Sequence, residues 1–255
     1  MENNLLSQGI KILEENNIDI NQAKYLYKYI DEDKFIDGIY KLVEGKPVQY
    51  IIGYVDFYGQ ILEVNENVLI PRFETEELVS RTISLIKTHF NKKVDIVDLG
   101  TGSGCIAITL KNNLDCNVDA VDISKKALEV ALKNAKNNNA EITFYEGDML
   151  SPLHKKYDVI ISNPPYIAYD EEIMEIVKNN EPHLALYAPD NGLKHYKDII
   201  DASSKYLNEK GLIAFEIGYM LGNEIKNFAK KKYPNAEIKL EKDLQNKDRF
   251  IFILI

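Results

Sequence analysis

The sequence predicts an α/β fold: a doubly wound, mostly parallel sheet covered by helices on both faces, preceded by a small N-terminal helical domain and a linking β-hairpin. Three observations lead there. After Pro71, short apolar runs alternate with segments of helical period, and such alternation is what parallel pairing through crossovers requires. One strand, Val94–Leu99, runs into Gly100-Thr101-Gly102-Ser103-Gly104 and resumes as a helix, the strand-loop-helix order of a nucleotide-type site. Before residue 47, by contrast, apolar residues recur only at helical spacing.

In chain order, the helical blocks carry Leu6, Ile10 and Leu13, then Ala23, Leu26 and Ile30, then Phe35, Ile36, Ile39, Leu42 and Val43. Gly45 closes the last of them and Pro47 prevents its resumption, so residues 1–46 are expected to form one domain. Residues 47–71 cluster Tyr, Ile and Val around Gly53, Gly59 and Asn65-Glu66-Asn67, which reads as a hairpin linking two domains. Residues 72–255 then give helix 74–89, strand 94–99, helix 104–113, strand 117–122, helix 124–138, strand 142–146 and strand 157–162. A helix starting near Leu193, strand 211–217, helix 221–232 and strands near 236–241 and 248–254 complete the pattern. The closing Phe250-Ile251-Phe252-Ile253-Leu254-Ile255 is apolar enough to be a buried strand.

With 255 residues, 45% of them hydrophobic, the chain can bury one large core and a small appendage. Cys105 and Cys116 have neither metal nor redox spacing, and no signal peptide or membrane-length apolar run is present, so a cytoplasmic protein without a membrane partner is expected. A net charge of −9 supplies no broad positive field, and stable nucleic-acid binding is not expected. Residues 1–71 carry 12 acidic and 6 basic side chains, which leaves the N-terminal part without a basic arm. The four histidines are scattered and lack ligand spacing, so no metal is expected. No unexplained apolar stripe calls for a partner subunit, and a monomer is expected.

The glycine loop alone admits two cofactors. Gly102-Ser103-Gly104-Cys105-Ile106-Ala107 fits the dinucleotide fingerprint, and Asp122 ends the next strand 18 residues beyond Gly104, where a ribose-binding acid belongs. A nicotinamide dehydrogenase is therefore compatible with this segment. Two further acids tilt the choice: Asp98, just before the glycines, could meet a charged amino group, and Asp148, just after the third strand, could accept from an adenine amine. S-adenosylmethionine has a ribose, an adenine and a charged amino-acid end but no pyrophosphate, so acids on successive strand ends suit it better. Asp98, Gly100, Thr101, Gly102, Ser103, Gly104, Asp122, Asp148 and Met149 are the expected cofactor residues, with Asn163 at their border.

Asn163-Pro164-Pro165-Tyr166 follows the strand Tyr157–Ser162. Prolines lack an N–H and force the preceding residue to be extended, so the segment is a rigid tip rich in carbonyl oxygens. An NH₂ held between the Asn163 side-chain oxygen and the Pro164 carbonyl would have both hydrogens engaged and its lone pair free, with Tyr166 packed on the planar group. Asn163, Pro164, Pro165 and Tyr166 are thus the expected catalytic and substrate-binding residues.

The glycine loop, Asp122, Asp148 and the Asn-Pro-Pro-Tyr segment together resemble a class I S-adenosylmethionine-dependent methyltransferase, whose sheet is Rossmann-like. Pro47-Val48-Gln49-Tyr50-Ile51-Ile52-Gly53, Phe57-Tyr58-Gly59 and Val68-Leu69-Ile70-Pro71-Arg72-Phe73-Glu74-Thr75-Glu76 narrow the resemblance to the HemK/PrmC family. That family methylates the side-chain amide nitrogen of the glutamine in the Gly-Gly-Gln motif of class 1 peptide chain release factors. The resemblance implies S-adenosylmethionine as methyl donor, S-adenosylhomocysteine as product, a release factor as partner, and a substrate-side role for Glu181 in Glu181-Pro182. Phe73 stands where the family usually has proline, and Met149 where it often has an aromatic. An exocyclic-amine methyltransferase of DNA or RNA is the principal alternative, since such enzymes use similar loops, but it should carry a positive recognition surface. A module that only senses the cofactor would have no need of Asn163 and Tyr166.

Overall fold

The structure, a computed structural model, describes residues 2–255. The N-terminal part consists of α1 (Glu2–Glu15), α2 (Asn21–Tyr29), α3 (Glu32–Val43) and the short α4 (Val48–Ile52). Leu13, Ala23, Leu26, Phe35, Ile39 and Leu42 form a cluster of their own there. The α4 segment corrects the hairpin expected over 47–71. Its Tyr-Ile-Ile stretch has β propensity, but Pro47 starts a helical turn, Gly53 ends it with φ of 88°, and Ile51 and Ile52 pack on the N-terminal cluster. Local capping and burial outweigh a weak strand preference.

The hairpin is confined to β1 (Tyr54–Phe57) and β2 (Gln60–Glu63). Tyr58 and Gly59 form its two-residue turn, both with positive φ, at 53° and 76°, the geometry that matches the twist of the flanking strands. A non-glycine residue is held there because the Glu76 carboxylate accepts the Tyr58 N–H at 3.0 Å.

The remaining elements are α5 (Phe73–His89), β3 (Val94–Leu99), α6 (Cys105–Asn113), β4 (Cys116–Asp122), α7 (Lys125–Asn137), β5 (Thr143–Glu146), β6 (Tyr157–Ser162), α8 (Glu175–Asn180), α9 (Lys194–Tyr206), β7 (Leu207–Glu216), α10 (Gly222–Lys232), β8 (Glu237–Lys242) and β9 (Asp248–Leu254). The seven-stranded sheet has the order β5-β4-β3-β6-β7-β9-β8. Its pairs are parallel from β5 to β7, and β9 is antiparallel to both neighbours. β7 starts at Leu207, earlier than expected, its first residues masked in the sequence by the polar Asn208-Glu209-Lys210.

Alternation along each strand divides the core. Ile96, Val159, Ile161, Leu212 and Phe252 face a layer with α5, α6 and the hairpin, whereas Val97, Ile160, Ile213 and Ile251 face α9 and α10. Strands buried on both faces read as near-continuous apolar runs, as these do. No helix among the described residues is long and apolar enough to cross a membrane.

Candidate active site

Strand order reverses between β3 and β6: from β3 the chain winds outward through β4 and β5, then returns to β6 on the other side. The loops after β3 and β6 therefore diverge at their carboxyl ends and leave a crevice, the place where open α/β sheets bind ligands. A cleft of about 300 Å³ opens there. Two further depressions lie at the amino ends of strands, around Asn117–Asp119 and around Lys92, Asp158 and Asn208.

Gly100, Gly102, Asp122, Asp148, Met149, Asn163 and Pro165 all line this cleft. Asp122, at the tip of β4, reaches across to the loop after β3: Oδ2 accepts the Gly102 N–H at 2.8 Å, and Oδ1 accepts the Ser124 N–H at 2.8 Å. Burial raises its pKa, while these N–H groups and that of Ile123 oppose the rise. These three N–H groups leave at least one of the four lone pairs free, so the carboxylate retains acceptor capacity toward the cleft.

Asp98 is deeper than the sequence suggested. It is fully buried and absent from the cleft wall. Oδ2 accepts the Thr101 hydroxyl at 2.6 Å, while Oδ1 is buried without a hydrogen-bond partner among the described residues. Burial pushes the carboxyl up to about 7, against the pull of Thr101 and the Ala107 N–H. Thr101 and Ser103 are likewise buried behind the loop, and neither they nor Gly104 line the cleft; their part is to shape the turn.

The β6 strand delivers Asn163 to the opposite wall. Its Nδ2 faces the Thr75 hydroxyl of α5 at 3.3 Å, and Thr75 in turn donates to Glu216 Oε2 at 2.7 Å. Thr75 and Glu216 are both buried. Downstream, Ile167 N–H donates to Leu186 O at 3.0 Å and Ala188 N–H to Ile167 O at 2.9 Å, which fastens the segment to the 183–188 turn. Pro164 is buried. Tyr166 packs into the α9/α10 side of the core near Leu221, and burial pushes its hydroxyl up to about 12. The ring expected over the planar group is therefore not on the cleft wall. Tyr169 and Tyr187 line it instead, stacked at 5.8 Å with an interplanar angle of 11°.

The sequence matches known methyltransferases over most of its length. A family model for the methyltransferase small domain matches residues 76–185. The release factor glutamine methyltransferase of Bacillus cereus is 44% identical over 228 residues, covering 87% of this chain and 81% of that protein. Its namesake from Bacillus subtilis is 45% identical, covering 83% and 76%. The chain belongs to the release factor glutamine methyltransferase family. A methyltransferase structure from Pyrococcus furiosus shares the fold, with a TM-score of 0.58 at 19% identity over 77% of this chain and 89% of that one.

Within this family member, Glu181 requires a correction. The substrate-side position expected for it is not what the structure shows: its side chain is only 2% exposed. One oxygen accepts the Ile70 N–H at 3.0 Å and the other takes the Arg72 guanidinium. Glu181 thus ties the segment before α5 to the loop after α8, and its neighbour Pro182 reaches the cleft. Asn134 of α7 was not anticipated at all. It is fully buried and bridges β2 to the glycine loop: it accepts the Glu63 N–H at 2.7 Å and donates to Glu63 O at 3.0 Å and Ser103 O at 2.9 Å. An asparagine inside a helix of period-3.6 apolar residues was the available signal. His195 also lines the cleft, and burial lowers its pKa.

Proposed function

We infer that this chain transfers a methyl group from S-adenosylmethionine to the side-chain amide nitrogen of the Gly-Gly-Gln glutamine of a class 1 peptide chain release factor. Membership of the family carries the reading, and the placement of Asn163 opposite the glycine loop and Asp122 across one cleft supports it. The fit to the methyl donor rests on two features of the site: the acceptor capacity left on Asp122 and the apolar wall of Ile123 and Met149. Asp122 would hold the ribose hydroxyls and Asp148 the adenine amine, with Met149 against the base as a polarizable apolar surface.

When bound, S-adenosylmethionine supplies an electrophilic sulfonium methyl. The chain supplies orientation. A glutamine amide nitrogen is a poor nucleophile because its lone pair is delocalised into the carbonyl, so most of the help must come from positioning and from hydrogen bonds that strengthen as charge develops on nitrogen. Asn163 Oδ1 and the Pro164 carbonyl accept the two amide hydrogens, and Pro165 borders the amide plane. Tyr166 holds this tip from behind, and Tyr169 and Tyr187 wall the entrance. We infer a cytoplasmic monomer acting on a protein. A net charge of −9 disfavours a DNA or RNA amine as acceptor.

Purified protein and radiolabelled S-adenosylmethionine are expected to label a class 1 release factor, and a Gln→Ala change in its Gly-Gly-Gln motif to abolish the label. Label on DNA or ribosomal RNA with the release factor untouched would overturn the reading. Asp122→Ala should raise the Kd for S-adenosylhomocysteine by roughly 10- to 100-fold, since hydrogen bonds to a charged acceptor contribute about 1.5–3 kcal/mol. At saturating cofactor, kcat should stay within a few-fold of wild type. Calorimetric titration together with steady-state kinetics checks both halves.

A further inference from the structure

The side-chain amide of Asn163 can face the cleft in two ways, and only one serves the reaction. With the oxygen outward it accepts a substrate N–H; with the NH₂ outward it presents a donor to a donor. The difference is a 180° turn about the last bond of a part-buried side chain, and the volumes of O and NH₂ are too alike for packing to decide it. Hydrogen-bond partners must decide.

Those partners come from two elements distant in sequence. Glu216 closes β7 and is 2% exposed; Thr75 sits in the first turn of α5 and is 3% exposed. Above pH 7 the ionised form predominates and only accepts, so there the Thr75 hydroxyl spends its one hydrogen on Glu216 Oε2, 2.7 Å away. What remains on Thr75 Oγ1 is acceptor capacity, and the group opposite it at 3.3 Å is the Asn163 amide. Only an N–H can satisfy that approach. The polarity of the chain is thus set at Glu216 and read out at Asn163, whose oxygen is left for the cleft. The carboxyl needs these donors: burial raises its pKa and Glu74 adds to the rise, Thr75, Arg249 and Asn163 oppose it, and the balance stands at about 7. Tyr196 donates to the Glu216 main-chain oxygen at 3.0 Å, which leaves the side chain free for this task.

We propose that Glu216, relayed through Thr75, is a positioning residue that fixes the Asn163 side-chain oxygen toward the methyl-accepting amide. This rests on the reading of Asn163 as a substrate acceptor. In Glu216→Gln the carboxamide can donate to Thr75, whose hydroxyl is then free to donate to Asn163 and stabilise the wrong face. In Thr75→Val the relay is gone.

Both variants should lose roughly 100-fold in kcat, the scale of a misplaced catalytic contact, with the Kd for S-adenosylhomocysteine within about threefold of wild type. Thr75→Ser, which keeps the hydroxyl, should recover most of kcat. Glu216→Gln combined with Thr75→Val should be at most a few-fold slower than Thr75→Val alone, because the two act mainly through one chain, with the direct approach of Asn163 to Glu216 the remainder. Without cofactor, the Asn163 side-chain ¹H–¹⁵N pair, identified by its loss in Asn163→Ala, should shift in both single variants and stay in place in Thr75→Ser. Should Thr75→Val not fold, the nearly isosteric Glu216→Gln carries the same test. If Asn163→Ala is inactive while Glu216→Gln and Thr75→Val turn over at the wild-type kcat, the positioning role is overturned and the acceptor reading stands. Full transfer by Asn163→Ala overturns both.

Discussion

Asn163→Ala should reduce kcat for methylation of a release factor by roughly 10²–10³-fold, the effect of deleting one preorganised hydrogen-bonding group beside a centre of developing charge. The substitution removes an acceptor from one of the two amide hydrogens, so the nitrogen keeps more of its ground-state conjugation and a larger share of its rotational freedom. It touches little else. Pro164 and Pro165 keep the tip extended, and the tie between Ile167, Leu186 and Ala188 lies beyond the substituted position. Asp122 and its two N–H contacts stand on the other wall. Affinity for S-adenosylhomocysteine should therefore hold within about threefold, a small change on the affinity scale. Single-turnover transfer with saturating cofactor, paired with calorimetric binding of the product, separates the two quantities. A large loss of cofactor affinity with chemistry preserved would assign Asn163 to the cofactor and not to the amide.

The contrast between Asn163 and its support shows what a sequence exposes and what it conceals. The residues along β3, the glycine loop, Asp122 and the Asn-Pro-Pro-Tyr tip were all legible because each depends on neighbours within one strand and the turn that follows it, where periodicity and backbone chemistry act locally. Thr75 lies 88 residues from Asn163 and 141 from Glu216, and no local pattern couples positions that far apart. Glu181 was misread for the same reason: beside a proline in a polar loop it looks solvent-facing, but Arg72 and Ile70, more than 100 residues earlier, enclose it. Tyr166 and Tyr169 show a subtler failure. Both are aromatic and both follow the prolines, yet the backbone packs the first, partly buried, against the core and leaves the second 71% exposed at the mouth. Side-chain direction after an irregular turn is set by the tertiary contacts that fasten it. In α4 the propensities of Tyr50, Ile51 and Ile52 pointed to a strand, and burial against the N-terminal helices made a helical turn of them.

The largest loss of stability should come from a residue that touches no ligand. Gly192 has φ of 87°, and a Cβ built on it would stand 2.1 Å from the Tyr166 carbonyl oxygen and 3.0 Å from the carbonyl carbon. Asp190 and Asn191 precede it with φ of 56° and 51°, so three consecutive residues occupy the left-handed region, and the chain has no slack there to rotate away. An alanine side chain would meet backbone, which cannot yield by changing rotamer. The left-handed conformation itself costs roughly 1–2 kcal/mol for an L residue, and forced displacement of packed neighbours about 1–3 kcal/mol more. Gly192→Ala should thus destabilise by about 2–5 kcal/mol. The atom that must move belongs to the tip that carries Asn163 and the Pro164 carbonyl, so kcat should fall as well, on the order of 100-fold if the displacement approaches 1 Å. Gly45→Ala isolates the steric part. Gly45 has φ of 85° with nothing within 4 Å of the added carbon and lies beyond α3, away from the cleft. It should pay only the roughly 1–2 kcal/mol of conformation and leave kcat unchanged. Urea unfolding of both variants, with kcat measured well below the transition, decides the matter: equal losses of stability would mean that the close approach to Tyr166 is accommodated without strain, and an unchanged kcat in Gly192→Ala would mean that the tip does not depend on it.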